Sequence, residues 1–300
     1  MEEVTKGVDS MKNRIFAALS WAAAAALLSG PPALGAQFEA PRVSQFGEVS
    51  QRVGVTEFAV SYSRPNVKGR QIWGGLVPYD TPWRTGANRA TTFTTTDDVE
   101  VEGKKLPAGK YSIVTIPGKE SWVVAFNTDP DLWFRTQYDE KKDALRVTVK
   151  PVALDMHVET FTILFRDVTP DSASLSLVWD RLRVPVTLRV DTKGLVLSKG
   201  RAAVVDAKAD DWETPLSVGR YFWSEKLGNP GEAMKYVERS ISIRKGYSNM
   251  ALDARMLAAE GKTAEAVKAG EEALALAEAS PDKPNMEAFE KALAEWKAKK

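Results

Sequence analysis

Residues 57–62 read Glu-Phe-Ala-Val-Ser-Tyr and residues 175–179 read Leu-Ser-Leu-Val-Trp. Their apolar and aromatic side chains recur at every second position. That period puts one face of an extended chain on a core and the other toward solvent. The same alternation returns in Val99-Glu100-Val101-Glu102, Tyr111-Ser112-Ile113-Val114 and Leu145-Arg146-Val147-Thr148-Val149. Gly103-Lys104-Lys105 and Pro117-Gly118-Lys119 supply turns between such runs, which favours hairpins. No helix-length apolar pattern separates them, so parallel strands with helical crossovers are not expected. The region 37–191 therefore reads as an antiparallel β-sandwich or flattened barrel.

Between the first two strand runs lies a dense block, residues 63–92, SRPNVKGRQIWGGLVPYDTPWRTGANRATT. It holds three prolines, two tryptophans and four arginines. Large Trp and Arg side chains are usually held by partners, so the block should have a defined shape rather than act as a slack connector.

The composition changes after Asp191. Residues 192–211 read as a connecting stretch, and 212–300 as a helical region rich in Ala, Glu and Lys. Gly228-Asn229-Pro230-Gly231-Glu232-Ala233-Met234 aligns with Gly261-Lys262-Thr263-Ala264-Glu265-Ala266-Val267, 33 residues later. The offset is close to the tetratricopeptide period of about 34. In the second unit Ala254 takes the small position of the first helix. The first unit has Tyr221 at the matching place. A last helix is expected over Met286–Lys299. Two repeats are few, since repeats are stabilised by stacked neighbours. The helical region is thus expected to lean on the β-domain or to offer a surface to a protein partner.

The N-terminal residues 1–36 read as a signal peptide, with its motif over Met11–Ala36. Lys12 and Arg14 precede the apolar run Ile15–Ser29, Pro31 and Pro32 break it, and Ala33-Leu34-Gly35-Ala36 offers small residues for cleavage. The run is too short for a comfortable membrane span of roughly 20 residues. Export to the periplasm or medium is expected, with no membrane span after cleavage. The chain has no cysteine, which excludes disulfides, thiolate nucleophiles and Cys-based metal sites. Its formal charge of +1 provides no basic field of the kind that nucleic-acid binding requires.

The motifs of the β-domain carry a resemblance. Tyr62-Ser63-Arg64-Pro65, Val67-Lys68-Gly69-Arg70, Ile72-Trp73-Gly74-Gly75-Leu76-Val77-Pro78-Tyr79 and Trp83-Arg84-Thr85-Gly86-Ala87-Asn88 follow in order. Leu106-Pro107-Ala108-Gly109-Lys110-Tyr111-Ser112, Ile116-Pro117-Gly118 and Leu145-Arg146-Val147 extend the series. Together they resemble DUF2911, a family of exported bacterial proteins of no established function, often with a helical tetratricopeptide-like tail. Arg89 stands where the family usually has an acidic residue. The resemblance brings no catalytic residues with it.

Candidate binding residues come from the block: Arg64, Lys68, Arg70, Trp73, Trp83, Arg84 and Asn88. Guanidinium forks suit carboxylate or phosphate, so Arg64, Lys68, Arg70, Arg84 and Arg89 could meet a small anionic ligand. The preferred reading is that they fasten the loop, by pairing with Asp80, Asp97, Asp98 or backbone carbonyls. Trp73, Tyr79, Trp83, Trp122 and Trp133 could stack on a carbohydrate, but packing against the core is preferred.

Asn127, Asp129 and Asp131 alternate like calcium ligands, yet Pro130 intervenes and the rest of an EF-hand is missing. His157 stands alone, and no Gly-x-Ser-x-Gly elbow presents a serine to it. Neighbouring carboxylates such as Asp97-Asp98 and Asp139-Glu140 would point to opposite faces of a strand. No catalytic set, metal or cofactor emerges. The leading expectation is an exported, non-catalytic binding or interaction protein. An envelope enzyme acting on carbohydrate or peptide, and a structural envelope component, remain as alternatives.

Overall fold

A computed structural model of the protein describes residues 40–133, 137–281 and 284–299. Residues 1–36, read above as a signal peptide, lie outside them. Ten strands come first: β1 (Gln45–Val53), β2 (Thr56–Arg64), β3 (Thr91–Thr95), β4 (Val99–Val101), β5 (Lys104–Leu106), β6 (Gly109–Pro117), β7 (Trp122–Asn127), β8 (Asp143–Val149), β9 (Val152–Arg166) and β10 (Ser172–Arg189). They form two antiparallel sheets, ordered β1-β2-β3-β6-β7-β8 and β5-β4-β10-β9, and neither closes into a barrel. The sandwich is the form adopted, and the flattened barrel is not.

Both sheets turn their alternate side chains onto one core. Phe58, Val60 and Tyr62 of β2, Phe93 of β3, Ile113 of β6 and Trp122, Val124 and Phe126 of β7 face Phe161, Ile163, Leu175, Leu177 and Trp179 of β9 and β10. In β10 the inward set changes parity, from odd positions up to Trp179 to the even positions Val184, Val186 and Leu188. Two register shifts between Val178 and Leu182 flank Asp180, whose φ is 54°. A bulge adds a residue to one strand, which is how an 18-residue strand can re-aim its side chains and still serve one core.

Six helices follow: α1 (Thr192–Asp206), α2 (Glu213–Ser224), α3 (Pro230–Ile243), α4 (Tyr247–Ala259), α5 (Thr263–Glu278) and α6 (Glu287–Ala298). None of the described helices is long and apolar enough to cross a membrane. The reading of 192–211 as a connecting stretch needs correction, because most of it is α1. The side chain of Asp191 caps this helix by accepting from Gly194 N–H. Leu195 of α1 packs on the β core, while Val196 and Leu197 pack with Phe222, Met234 and Val237 of the helices. Arg201 grips Glu232 of α3 through two hydrogen bonds of 2.7 and 2.9 Å. Helix α1 is a wedge shared by the β-domain and the helical region. Its apolar contacts do not form one regular stripe, so its sequence looks like a linker. Residues 44–300 accordingly form one compact unit.

Candidate functional site

The block runs from β9 of one sheet to β6 of the other, and backbone pairing holds it at several points. Val67 N–H donates to Glu159 C=O (2.8 Å), Asp80 N–H to Pro117 C=O (2.8 Å), and Trp83 exchanges bonds of 2.7 and 2.9 Å with Thr115. The Trp-Gly-Gly turn is sterically required. A Cβ on Gly74, at φ 78°, would lie 2.8 Å from the Tyr79 ring, and one on Gly75 would lie 2.5 Å from Gln71 O. Tyr79 therefore covers the turn.

Trp73 and Trp83 turn inward and meet two tryptophans of the sheets. Trp83 stacks on Trp179 with ring centres 5.8 Å apart at 17°, and meets Phe161 edge-on at 5.3 Å. Trp73 lies edge-on to Trp122 at 4.9 Å and to Trp179 at 5.8 Å. The rings pack without leaving room for a water molecule between them. Trp83 Nε1 donates to Gly86 C=O (3.1 Å) and Trp179 Nε1 to Glu159 C=O (3.2 Å). Trp133 is apart from them, with the Arg89 guanidinium 5.4 Å from its ring centre. The five aromatic residues considered for sugar stacking are thus divided among a core cluster, a turn cover and an outer contact. Trp179 and Phe161 are members of the cluster that the sequence did not single out. Only the alternation of residues 175–179 marked Trp179, and no reading of the sequence marked Phe161.

The basic residues do not converge either. Arg64 donates through Nε to Phe161 C=O (3.2 Å) and through Nη2 to Thr162 Oγ1 (3.0 Å). Arg70 donates to the carbonyls of Val67 and Asn66. Lys68, at φ 50°, gives its backbone N–H to Glu159 Oε1 (2.9 Å). Asn88, at φ 57°, ties Ser44 C=O to Ser63 Oγ by donating to both. Arg89 pairs with Asp131 at 3.6 Å. Arg64 and Arg70 meet backbone carbonyls, one of the acceptor types considered, and a threonine hydroxyl, and neither meets Asp80, Asp97 or Asp98. Asp97 and Asp98 are spent elsewhere, on Lys199 and on the Ala108 N–H.

Arg84 differs from the rest. Its neighbours are fixed: Trp83 in the ring cluster, and Thr85 Oγ1 donating to Thr115 Oγ1 at 3.1 Å. Its own carbonyl accepts from Thr91 N–H. Yet Nε is buried with no hydrogen-bond partner, and the guanidinium pairs with no carboxylate among the described residues. Burial without a counter-charge pulls its pKa below the ordinary arginine value. Trp73 Nε1 is likewise buried without a partner.

Asn127, Asp129 and Asp131 do not cluster as ligands. Asn127 Oδ1 accepts from Asp129 N–H, and Asp129 Oδ1 from Asp131 N–H, which is turn geometry. Asn127 Nδ2 donates to Asp143 Oδ1 (2.8 Å), and Lys142 pairs with Asp129. Among the described residues no group of three His, Asp or Glu is placed to hold a metal ion.

A family model described as protein of unknown function (DUF2911) matches residues 44–188. That span holds every strand of the sandwich up to Leu188 and the whole block, so the match supports the resemblance carried by the motifs. No curated protein and no solved structure matches the chain.

Proposed function

We propose that this is an exported, non-catalytic binding protein whose ligand is a small anion taken at Arg84. Arg84 itself carries the reading. Arg64, Arg70, Trp83 and Asn88 hold the block through their side chains and Lys68 does so through its backbone N–H, whereas the Arg84 guanidinium sits half-buried on a fixed backbone with a buried donor left open. An unmatched buried charge costs stability that a carboxylate or phosphate would restore. A guanidinium fork suits either group in a bidentate way.

We also read α2 through α5 as two tetratricopeptide-like pairs offering a surface to a protein partner. Gly228 and Gly261 stand at φ 65° and 80° before α3 and α5. The turn of the first pair runs Glu225–Asn229 and that of the second Glu260–Lys262, two residues shorter. The small residue of α2 is therefore Gly219, buried against Ala233 and Val237, in the role of Ala254 in α4. Tyr221 is exposed instead.

Thermal unfolding with inorganic phosphate and with succinate tests the ligand reading, because a ligand bound to the native state raises apparent stability. The wild type is expected to gain stability with at least one of the two. Arg84→Gln should melt no lower than the wild type without anion and should lose the gain. An Arg84→Gln protein that melts well below the wild type and keeps the gain would overturn the site. Export is tested by the intact mass of protein recovered from the cell envelope, with cleavage expected near Gly35 or Ala36.

A further inference from the structure

His157 is the single histidine of the chain, and each of its ring nitrogens meets a carboxylate. Nδ1 lies 3.0 Å from Asp180 Oδ1, and Nε2 lies 3.1 Å from Glu159 Oε2. An ionised carboxylate only accepts hydrogen bonds, and neutral imidazole has one N–H. Both contacts are hydrogen bonds only when the ring is an imidazolium.

Glu159 is also the residue that anchors the start of the block. Its Oε1 accepts from Lys68 N–H (2.9 Å), and its carbonyl accepts from Val67 N–H (2.8 Å) and Trp179 Nε1 (3.2 Å). The charged groups that bear on this pair come from three places. Glu159 lies on β9 with the histidine, Asp180 sits at the β10 bulge, and Arg70 of the block acts on Glu159 through its charge.

We propose that His157 is a proton-operated clamp: its imidazolium holds Glu159 against the Lys68 amide, and loss of the proton loosens residues 66–70 of the block. Either neutral tautomer keeps one hydrogen bond and sets a nitrogen lone pair against the other carboxylate at about 3 Å. Asp180 has no second hydrogen-bond partner among the described residues, whereas Glu159 has the Lys68 amide. The tautomer that keeps Nδ1–H on Asp180 is therefore favoured, and Glu159 is released.

The electrostatics agree in direction. Hydrogen bonds to Glu159 and then Asp180 hold the His157 pKa above its ordinary value. The Lys68 amide and then His157 hold the Glu159 pKa below its own. A raised histidine pKa means the clamp's contribution is complete below the unfolded value, about 6.5, and is lost as pH rises through the folded value. This clamp is independent of whether Arg84 takes a ligand.

The lone histidine makes the test direct, because imidazole nuclear magnetic resonance of the intact protein reports one titration. The midpoint is expected above that of an unstructured histidine and should fall in Asp180→Asn and in Glu159→Gln. The Lys68 amide resonance should move with the same midpoint, and its protection from hydrogen exchange should drop above it. In His157→Gln that pH response should vanish. Asp180→Asn does not touch the Lys68 amide, so it separates the clamp from simple loss of the Glu159 contact. A Lys68 amide that ignores the histidine titration would overturn the proposal, as would a midpoint that Asp180→Asn leaves unmoved.

Discussion

Trp83→Ala is expected to cost about 3–5 kcal/mol of stability, the range for emptying a large aromatic site in a packed core. The ring stacks on Trp179 and touches Trp73, Trp122 and Phe161, so its loss opens space that four other rings line. Those rings sit on β7, β9, β10 and the block itself, which limits how far they can collapse into the gap. Trp83 also exchanges two backbone bonds with Thr115, so the backbone stays in place while the side chain is lost. Denaturant melts should show a lower midpoint with an unchanged slope, the sign of lost stability rather than an altered unfolded state. Trp122→Ala, at a residue 2% exposed, should cost at least as much. If Trp83→Ala melts with the wild type, the ring is not an anchor and the inward cluster is dispensable.

Asp97→Ala is expected to cost about 1–3 kcal/mol, because it leaves a buried donor without an acceptor. The carboxylate accepts from Thr56 Oγ1 (2.9 Å), Thr96 Oγ1 (3.1 Å) and Lys199 Nζ (2.7 Å), which joins the sandwich to α1. Thr56 is fully buried, so its hydroxyl cannot turn to water when Asp97 is gone. Burial alone would raise the Asp97 pKa, but the hydrogen bonds from Lys199, Thr56 and Thr96 and the Lys199 charge outweigh it and lower the value. A lowered carboxylate pKa gives stability that is present above the unfolded value and is lost as pH falls through the folded one. The wild type should therefore lose part of its stability in acid that Asp97→Ala has already lost. Comparing melts of the two at neutral and acidic pH checks this. An equal acid sensitivity in both proteins would show that Asp97 is not one of the responsible carboxylates.

Much of the architecture was legible because it is local. Alternation in residues 57–62 and 175–179 fixes which side chains face a core, since successive residues of a strand point to opposite faces. The turn residues between strands favoured an antiparallel arrangement. The offset between Gly228 and Gly261 located two helical turns, because a glycine at positive φ suits such a turn. The turn before α3 is two residues longer than its counterpart, so a fixed offset sets Ala254 against Tyr221, whereas counting from the helix ends sets it against Gly219.

The rest was decided only when distant parts met. Helix α1 looks like a linker because its contacts are shared between two cores, one along each side, and such a helix needs no regular apolar stripe. The partners of Arg64 and Arg70 are carbonyls and a threonine hydroxyl, and which carbonyls they reach is invisible in a list of residue types. Asp97 and Lys199 lie 102 residues apart in the chain, and no local pattern links them. His157 reads as an isolated surface histidine until the β10 bulge brings Asp180 to one nitrogen while Glu159, two residues along, reaches the other. The strand period determined which residues face inward. Strand register and a bulge decided which side chains meet, because contacts between distant residues depend on the packing of the whole fold.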